Sequence, residues 1–400
     1  MYVTQTRGYI IMSNTAKREY LEAIRSRYVA GSKFLKRAIL DEFCRVCDYN
    51  RKYAIRLLRA SPRTKPTASR AGRHAIYTDP ALITFLKHLW IVSNLACSKR
   101  LKAMIPLWLP HYEGPLPALI KHQLQTISPA TIDRLLSPLR NRYSKRGLVT
   151  TKPGSLLKKH IPIKTDQWDE RIPGFLEADS VAHCGTSMAG MFTFTVNMVD
   201  IATGWTEQRS VWGKGERGVL SAIESIEHDL PFPIRGFDCD NGSEFLNWPL
   251  LKYFLDRERP VEYTRSREYH KNDNAHVEGK NWTIIRQYLG YDRFDDPRIT
   301  PALNELYTHE WRLLMNFFFP SVKLIAKERI KSKIIKRHDA PQTPLQRVLL
   351  SPHVSQETKQ RLSDLYEQLN PFQLQKDVSK KINRILRLAT PVSPLTNKAI

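Results

Sequence analysis

Ile234-Arg235-Gly236-Phe237-Asp238-Cys239-Asp240-Asn241-Gly242-Ser243-Glu244-Phe245 is the stretch whose reading decides the fold. A short apolar run ends on Asp240, and turn chemistry follows at once in Asn241-Gly242. That pattern predicts a buried strand over 234–238 that delivers a carboxylate at its end, with a helix over 243–256. Upstream, Phe175–Ala178 is a first strand ending on Asp179. Met191–Val199, rich in aromatic and β-branched residues, is a second, and Trp205–Trp212 returns as a third after the turn residues Asp200–Gly204. Glu216–Leu230 is a helix with Val219, Leu220, Ile223 and Ile226 facing in. Downstream, Val261–Thr264 is the fifth strand, and Asn274–Leu289 is a closing helix that Gly290 stops. The order βββαβαβα makes an α/β domain with a mixed five-stranded sheet and helices on its faces. The first strand is then the natural neighbour of the fourth, because the helix between them makes a right-handed crossover. Asp179 and Asp240 come side by side, and the closing helix brings in Glu278.

Three carboxylates gathered in this way suit a pair of divalent cations and displacement at phosphorus. Mg²⁺ prefers hard oxygen ligands and keeps positions open for water and phosphate. Taken singly, each has a plainer role. Asp179 can cap a loop, Asp240 can open a turn, and Glu278 can be a first-turn charge favoured by the helix dipole. It is the set, in this strand order, that makes the candidate catalytic and metal-binding group. His183 and His276 are ligands by type, but a hard-metal site prefers carboxylates, so both read as structural or DNA-contacting.

The chain has 400 residues and a formal net charge of +24, so a polyanionic partner is the first expectation. The charge is unevenly spread: residues 1–173 and 317–400 are strongly basic, whereas 174–316 hold more Asp and Glu than Lys and Arg. Basic arms to hold nucleic acid around an acidic centre to hold metal fit that partition. The odd count of five cysteines, widely scattered, argues against a disulfide framework and for a reducing compartment. Cys44 and Cys47 have CxxC spacing without further ligands at finger spacing, so they read as helix residues rather than a zinc site. No apolar run is long enough to span a membrane. The first residues lack the apolar core of a signal peptide, and Met12 competes with Met1 as the start.

Helices are expected over 17–29, 33–47 and 51–59, an order that suits a helix-turn-helix. In it Arg51, Lys52 and Arg56 project from the last, basic helix toward DNA. Arg70 and Arg73, in a linker rich in Pro, Ser and Thr, suit a minor-groove arm. A second helical module, with a helix beginning at Ser128-Pro129 and carrying Arg134, repeats the theme. The expected organisation is a DNA-binding domain over 1–62, a linker over 63–75, a second helical DNA-binding domain over 76–150 and a connector over 151–173. The α/β domain over 174–316, a small basic β domain over 317–350 and a helical tail over 351–400 complete it.

Asp179, Asp240-Asn241-Gly242-Ser243-Glu244-Phe245 and Asn274-Ala275-His276-Val277-Glu278-Gly279-Lys280-Asn281 together resemble the catalytic domain of DDE-type insertion-sequence transposases and retroviral integrases. Asp179-Ser180-Val181-Ala182-His183-Cys184-Gly185 and the residues from Thr264 to Asp273 resemble the bacterial branch in particular. The resemblance covers about 174–350, and the helix-turn-helix start is similar too. It implies an RNase H-like fold, Mg²⁺ or Mn²⁺ as a pair of ions, nicking at element ends, and attack of the 3′-hydroxyl on target DNA. It also implies double-stranded DNA at both ends and target as partner, a homo-oligomer on DNA, and a bacterial cytoplasmic, nucleoid-associated location. Carried over by position, Asp179, Asp240 and Glu278 are the metal ligands, and Asp238 is less suited. The 37 residues between Asp240 and Glu278 slightly exceed the family's usual spacing, and the retroviral His/Cys zinc module has no match here. Lys271, Lys280 and Asn281 flank Glu278 and are candidates for DNA contact. Two other readings remain: a helix-turn-helix regulator derived from a transposase with its catalysis lost, and a plain RNase H-type nuclease.

Overall fold

A computed structural model of the chain describes residues 13–60, 76–140, 170–240, 242–266, 275–330 and 333–392. By contacts the chain divides into two units, 1–76 and 77–400.

The first unit holds α1 (Asn14–Ala30), α2 (Lys33–Cys47) and α3 (Arg51–Arg59). Each starts at a side-chain cap, from Ser13, Ser32 and Asn50 respectively. Asp48 ends α2 in the left-handed region, at φ 54°, which a short polar residue tolerates. Leu21, Ile24, Ile39, Leu40, Phe43 and Leu58 form its core. Cys44 and Cys47 lie in α2 as free thiols, and Cys47 is part of that core.

The second unit opens with α4 (Pro80–Val92), α5 (Ser98–Trp108), α6 (Ala118–Thr126) and α7 (Pro129–Arg140). Pro sits in the first turn of α4 and opens α7, where its missing N–H costs nothing. The sheet follows: β1 (Phe175–Ala182), β2 (Thr193–Asp200), β3 (Thr206–Trp212), β4 (Gly236–Cys239) and β5 (Glu262–Arg265). Its order is β3-β2-β1-β4-β5. The first three strands are mutually antiparallel, while β4 runs parallel to β1 and β5 parallel to β4. This mixed five-stranded sheet is RNase H-like in topology. Every residue of β2 is buried: Phe194, Val196 and Met198 lie on one face, and Thr193, Thr195 and Asn197 lie on the other, where Thr195 and Asn197 are paired to buried side chains.

Helix α8 (Glu216–Asp229) connects β3 to β4, and α9 (Trp248–Leu255) connects β4 to β5. The sequence predicts α9 from Ser243, but it starts five residues later. Asn247 takes the cap, its Oδ1 accepting from Leu250 N at 2.9 Å, and the residues before it are a turn. After β5, α10 (Ala275–Lys280) runs through a π-helical stretch (Asn281–Arg286) into α11 (Gln287–Leu289). Then come α12 (Ile299–Leu306), a second π stretch (Tyr307–Trp311) and α13 (Arg312–Phe318). A small antiparallel hairpin, β6 (Leu324–Ile330) with β7 (Lys333–His338), precedes the helical tail of α14 (Pro344–Leu350), α15 (Gln356–Glu367) and α16 (Pro371–Leu386).

The sequence sets 76–150 and 174–316 apart as two domains. In the structure α4, α5, α6 and α7 contribute to one continuous core with the sheet and the tail. Trp108 of α5 is fully buried, and its indole N–H donates to Phe318 O at 3.2 Å. Its ring meets Phe372 of the tail edge-on at 5.0 Å. The apolar faces that look sufficient for an independent bundle are instead used against α13 and α16.

Candidate active site

Asp179 stands on β1 opposite Asn197 of β2, and Asp240 follows directly on β4. The parallel register pairs Ala178 with Cys239, so the two aspartates occupy successive, adjacent positions across the β1–β4 ladder. Asp179 is half-buried. Its Oδ1 accepts from Ser180 N at 2.7 Å and its Oδ2 from Asn281 Nδ2 at 2.6 Å. Asp240, also half-buried, accepts from Gly242 N at 2.9 Å. A Cβ at Gly242 would lie 2.8 Å from Asp240 Oδ1, so a larger residue there would push the carboxylate out of place.

The electrostatics are those of crowded negative charge. Burial, then the charges of Asp240, Glu244 and Glu278, hold Asp179 well above the usual carboxylate range. Burial and then Glu244 push Asp240 up to about 6, against the pull of Gly242 N–H and Lys214. Glu278 is exposed on α10 and reaches Asp179 through its field. Among the described residues, no three His, Cys, Asp or Glu side chains converge closely enough to clasp an ion.

Three supporting groups escape a reading of the sequence. Glu177 shares a strand face with Asp179, two residues away. Its Oε2 accepts from His276 N and Val277 N, both at 3.0 Å, so it fixes the start of the helix that carries Glu278. Burial, helped by Asp238 and Glu278, pushes Glu177 up to about 8 despite those two bonds. Glu244 is buried and accepts from Ser180 Oγ at 2.6 Å and Lys214 Nζ at 2.9 Å. Its burial is outweighed by Lys214 and Ser180, so it stays below its ordinary value and keeps its charge beside Asp240. Asn197, fully buried, accepts from Gln208 Nε2 and donates to Asn281 Oδ1 at 2.7 Å. The only hint of Glu177 in the sequence is an acid inside an otherwise apolar run.

The remaining predicted contacts are scattered. Asn281 is held between Asn197 and Asp179, at the first residue of the π-helical stretch. Lys280 is half-buried and its Nζ donates to Gly204 O at 3.2 Å. Arg51, Lys52 and Arg56 are exposed on α3, with Arg51 paired to Asp41 and Arg56 over the Tyr53 ring. Arg134 is exposed on α7, donating to Thr131 Oγ1 at 3.0 Å. Arg70, Arg73 and Lys271 lie outside the described residues. His183 is structural: its Nε2 lies 2.9 Å from Thr195 Oγ1 and its ring stacks on Phe294. Asp238 is buried and accepts from Thr264 Oγ1 at 2.5 Å, a role within the sheet.

No family model matches the chain. The uncharacterized protein y4rM of Sinorhizobium fredii (strain NBRC 101917 / NGR234) is 40% identical over 343 residues, covering 84% of this chain and 96% of that protein. The chain belongs to the y4rM family. Among solved structures, the HTLV-2 integrase catalytic core domain in complex with magnesium (dimeric form) matches at 14% identity. That match covers 38% of this chain and 91% of the other, with a TM-score of 0.27. The catalytic core domain of BIV integrase matches at 14% identity over 45% of this chain and 96% of its own, with a TM-score of 0.28. Among the described residues of this y4rM-family chain, no helix is long and apolar enough to cross a membrane.

Proposed function

We propose that this protein is a DDE transposase. It would bind the double-stranded ends of a mobile element and carry out metal-dependent strand cleavage and strand transfer into target DNA. The observation that carries this reading is the adjacency of Asp179 and Asp240 across β1–β4, within the field of Glu278. Two half-buried carboxylates at the end of one strand pair repel each other, and a divalent cation between them would relieve that repulsion. The donor set is all hard oxygen, which fits Mg²⁺ or Mn²⁺ held by Asp179, Asp240 and Glu278. Bound there, a pair of ions would activate a water or a 3′-hydroxyl and stabilise the leaving oxygen.

The chain's own residues would do the rest. Asn281 holds Asp179 in one orientation, Glu177 docks the helix of Glu278, and Gly242 N–H steadies Asp240. The exposed basic face of α3, with Arg51, Lys52 and Arg56, and Arg134 on α7 would contact phosphates. Pairing two ends calls for a homo-oligomer on DNA, in a bacterial cytoplasm at the nucleoid.

The direct test is a strand-transfer assay with purified protein, labelled element ends and a supercoiled target, with Mg²⁺ or with EDTA. Joined products that need the metal and vanish with Glu278→Gln are the expected result. Binding without joining, in Mg²⁺ and Mn²⁺ alike, would replace this reading with a regulator that has lost catalysis.

Asn281→Ala gives a graded prediction. It frees Asp179 Oδ2 without removing a carboxylate, so joining should slow by about 10–100-fold, as for groups that orient metal ligands. End binding in a gel-shift titration should not change. An unchanged joining rate would mean that the Asn281–Asp179 bond has no part in the chemistry.

A further inference from the structure

A cavity of about 370 Å³ lies on the flank of α10 away from the aspartates. Glu278 and Lys280, two residues apart on a helix, point in nearly opposite directions, so the cavity and the carboxylate site use different faces. Arg100 of α5, Lys280 of α10 and Lys323 before the hairpin all line it. Each is tied by one donor to a neutral carbonyl. Arg100 Nε reaches Pro320 O at 2.7 Å, Lys280 Nζ reaches Gly204 O at 3.2 Å, and Lys323 Nζ reaches Ala202 O at 2.8 Å.

Arginine carries five donors and lysine three, so each cation keeps N–H groups to spare. Among the described residues, none of the three forms an ion pair. The nearby acids are already engaged: Asp339 pairs with Arg347, and Asp200 is bound by Gly174 N and Thr203. Burial holds Arg100 below its ordinary value, and burial with the charge of Arg347 does the same to Lys323 against the pull of Asp200 and Asp339. Tyr288, also lining the cavity, has a buried hydroxyl with no hydrogen-bond partner among the described residues. Gathered, half-buried positive charge, offset at Lys323 only in part by the nearby Asp200 and Asp339, is costly, and an orphaned hydroxyl adds to the cost.

We propose that this cavity is a binding site for a phosphate ester, with the phosphate among Arg100, Lys280 and Lys323 and the hydroxyl of Tyr288 as an added donor. The planar fork of Arg100 suits phosphate oxygens. Ile201, Ile284 and Phe319 supply an apolar wall, so the fitting ligand carries a flat apolar body beside its phosphate, which is the chemistry of a nucleotide. The volume falls in the range of small-molecule pockets, about 300–1,000 Å³. The nucleotide can come free or as a unit of a single DNA strand. The inference is independent of the carboxylate site: it stands if no joining activity is found.

Equilibrium dialysis of the full chain against inorganic phosphate, dAMP and a short single-stranded oligonucleotide tests it, at matched ionic strength. The expected result is saturable binding, tighter for dAMP than for phosphate, and about 10–100-fold weaker in Arg100→Gln and in Lys323→Gln. Binding of dAMP assigns a free nucleotide. Binding of the oligonucleotide alone, weakened by the same substitutions, assigns a strand. Circular dichroism checks that the variants fold. Tyr288→Phe, which removes one oxygen, gives the same comparison with a smaller loss if they do not. Failure of all three ligands to bind overturns the proposal, as does binding that neither cation substitution nor Tyr288→Phe weakens.

Discussion

Asp240→Asn should abolish metal-dependent joining and, in the metal-free protein, raise stability by an amount that grows from about pH 4 and is complete above about pH 6. The first effect follows from losing a charged metal ligand beside Asp179, and a fall of at least about 10²–10³-fold is expected from removing one such electrostatic element. The second follows from the site's crowding. Asp240 has a folded-state pKa of about 6, raised by burial and by Glu244, against roughly 4 in an unfolded chain. Between those values the folded protein holds a proton that the unfolded chain has lost, so stability falls as pH rises through the window. Below it both states are protonated and Asp240 makes no difference. Above it the folded state bears the full penalty of the charge, which Asn does not carry. The variant should therefore gain on the order of 2 kcal/mol over wild type above pH 6 and nothing below pH 4. Urea unfolding at either side of the window measures this. Added Mg²⁺ should stabilise the wild type above pH 6 and leave the variant unmoved. A variant that joins DNA at the wild-type rate, or whose gain does not depend on pH, would sink the assignment of Asp240.

Much of the sheet is legible in the sequence because local pattern and burial agree there. The apolar, β-branched run of β2 can only be a buried strand, and the crossover rule puts β1 next to β4 without any long-range information. The starts of α2 and α3, at Lys33 and Arg51, fall where the sequence puts them, next to the caps Ser32 and Asn50, whereas α1 starts at Asn14 on the cap Ser13, three residues before the expected Lys17. What stays hidden is what one element does to another. Glu177 reads as an odd charge in a strand, and only the arrival of α10 makes it a cap. Glu244 reads as part of a helix, yet it sits in a turn where Lys214, from beyond β3, reaches it. Asn281 is visible as a polar residue near Glu278, but its grip on Asp179 runs from the closing helix to β1, a contact no local pattern encodes. The cluster of Arg100, Lys280 and Lys323 joins residues far apart in the chain, so no window of sequence contains it.

Trp108→Ala should cost about 3–5 kcal/mol, and the loss should be felt in the sheet as well as in α5. The substitution empties the space of a fully buried indole, removes its edge contacts with Phe318, Phe319 and Phe372, and leaves Phe318 O without its donor. Phe318 ends α13, a helix that packs on β3, so the damage passes from α5 through α13 to the sheet. Residues 76–150 as a separate module, as the sequence suggests, would make a different prediction. Trp108→Ala would then melt α4, α5, α6 and α7 in a transition of their own, and amides of β1, β2 and β3 would keep their protection. With the shared core, protection in those strands falls by the same free energy as in α5, because local opening is coupled across one packed unit. Hydrogen exchange resolved to single strands separates the two. Trp108→Phe sharpens the comparison, since it keeps a ring at the junction and loses chiefly the indole N–H. Its smaller cost, about 1–3 kcal/mol for an orphaned buried carbonyl and a partly filled space, should appear in α5 and in β3 alike. The sheet that carries Asp179 is then stabilised in part by helices that a reading of sequence assigns to DNA binding, and removal of residues 1–150 should weaken the site it was meant to isolate.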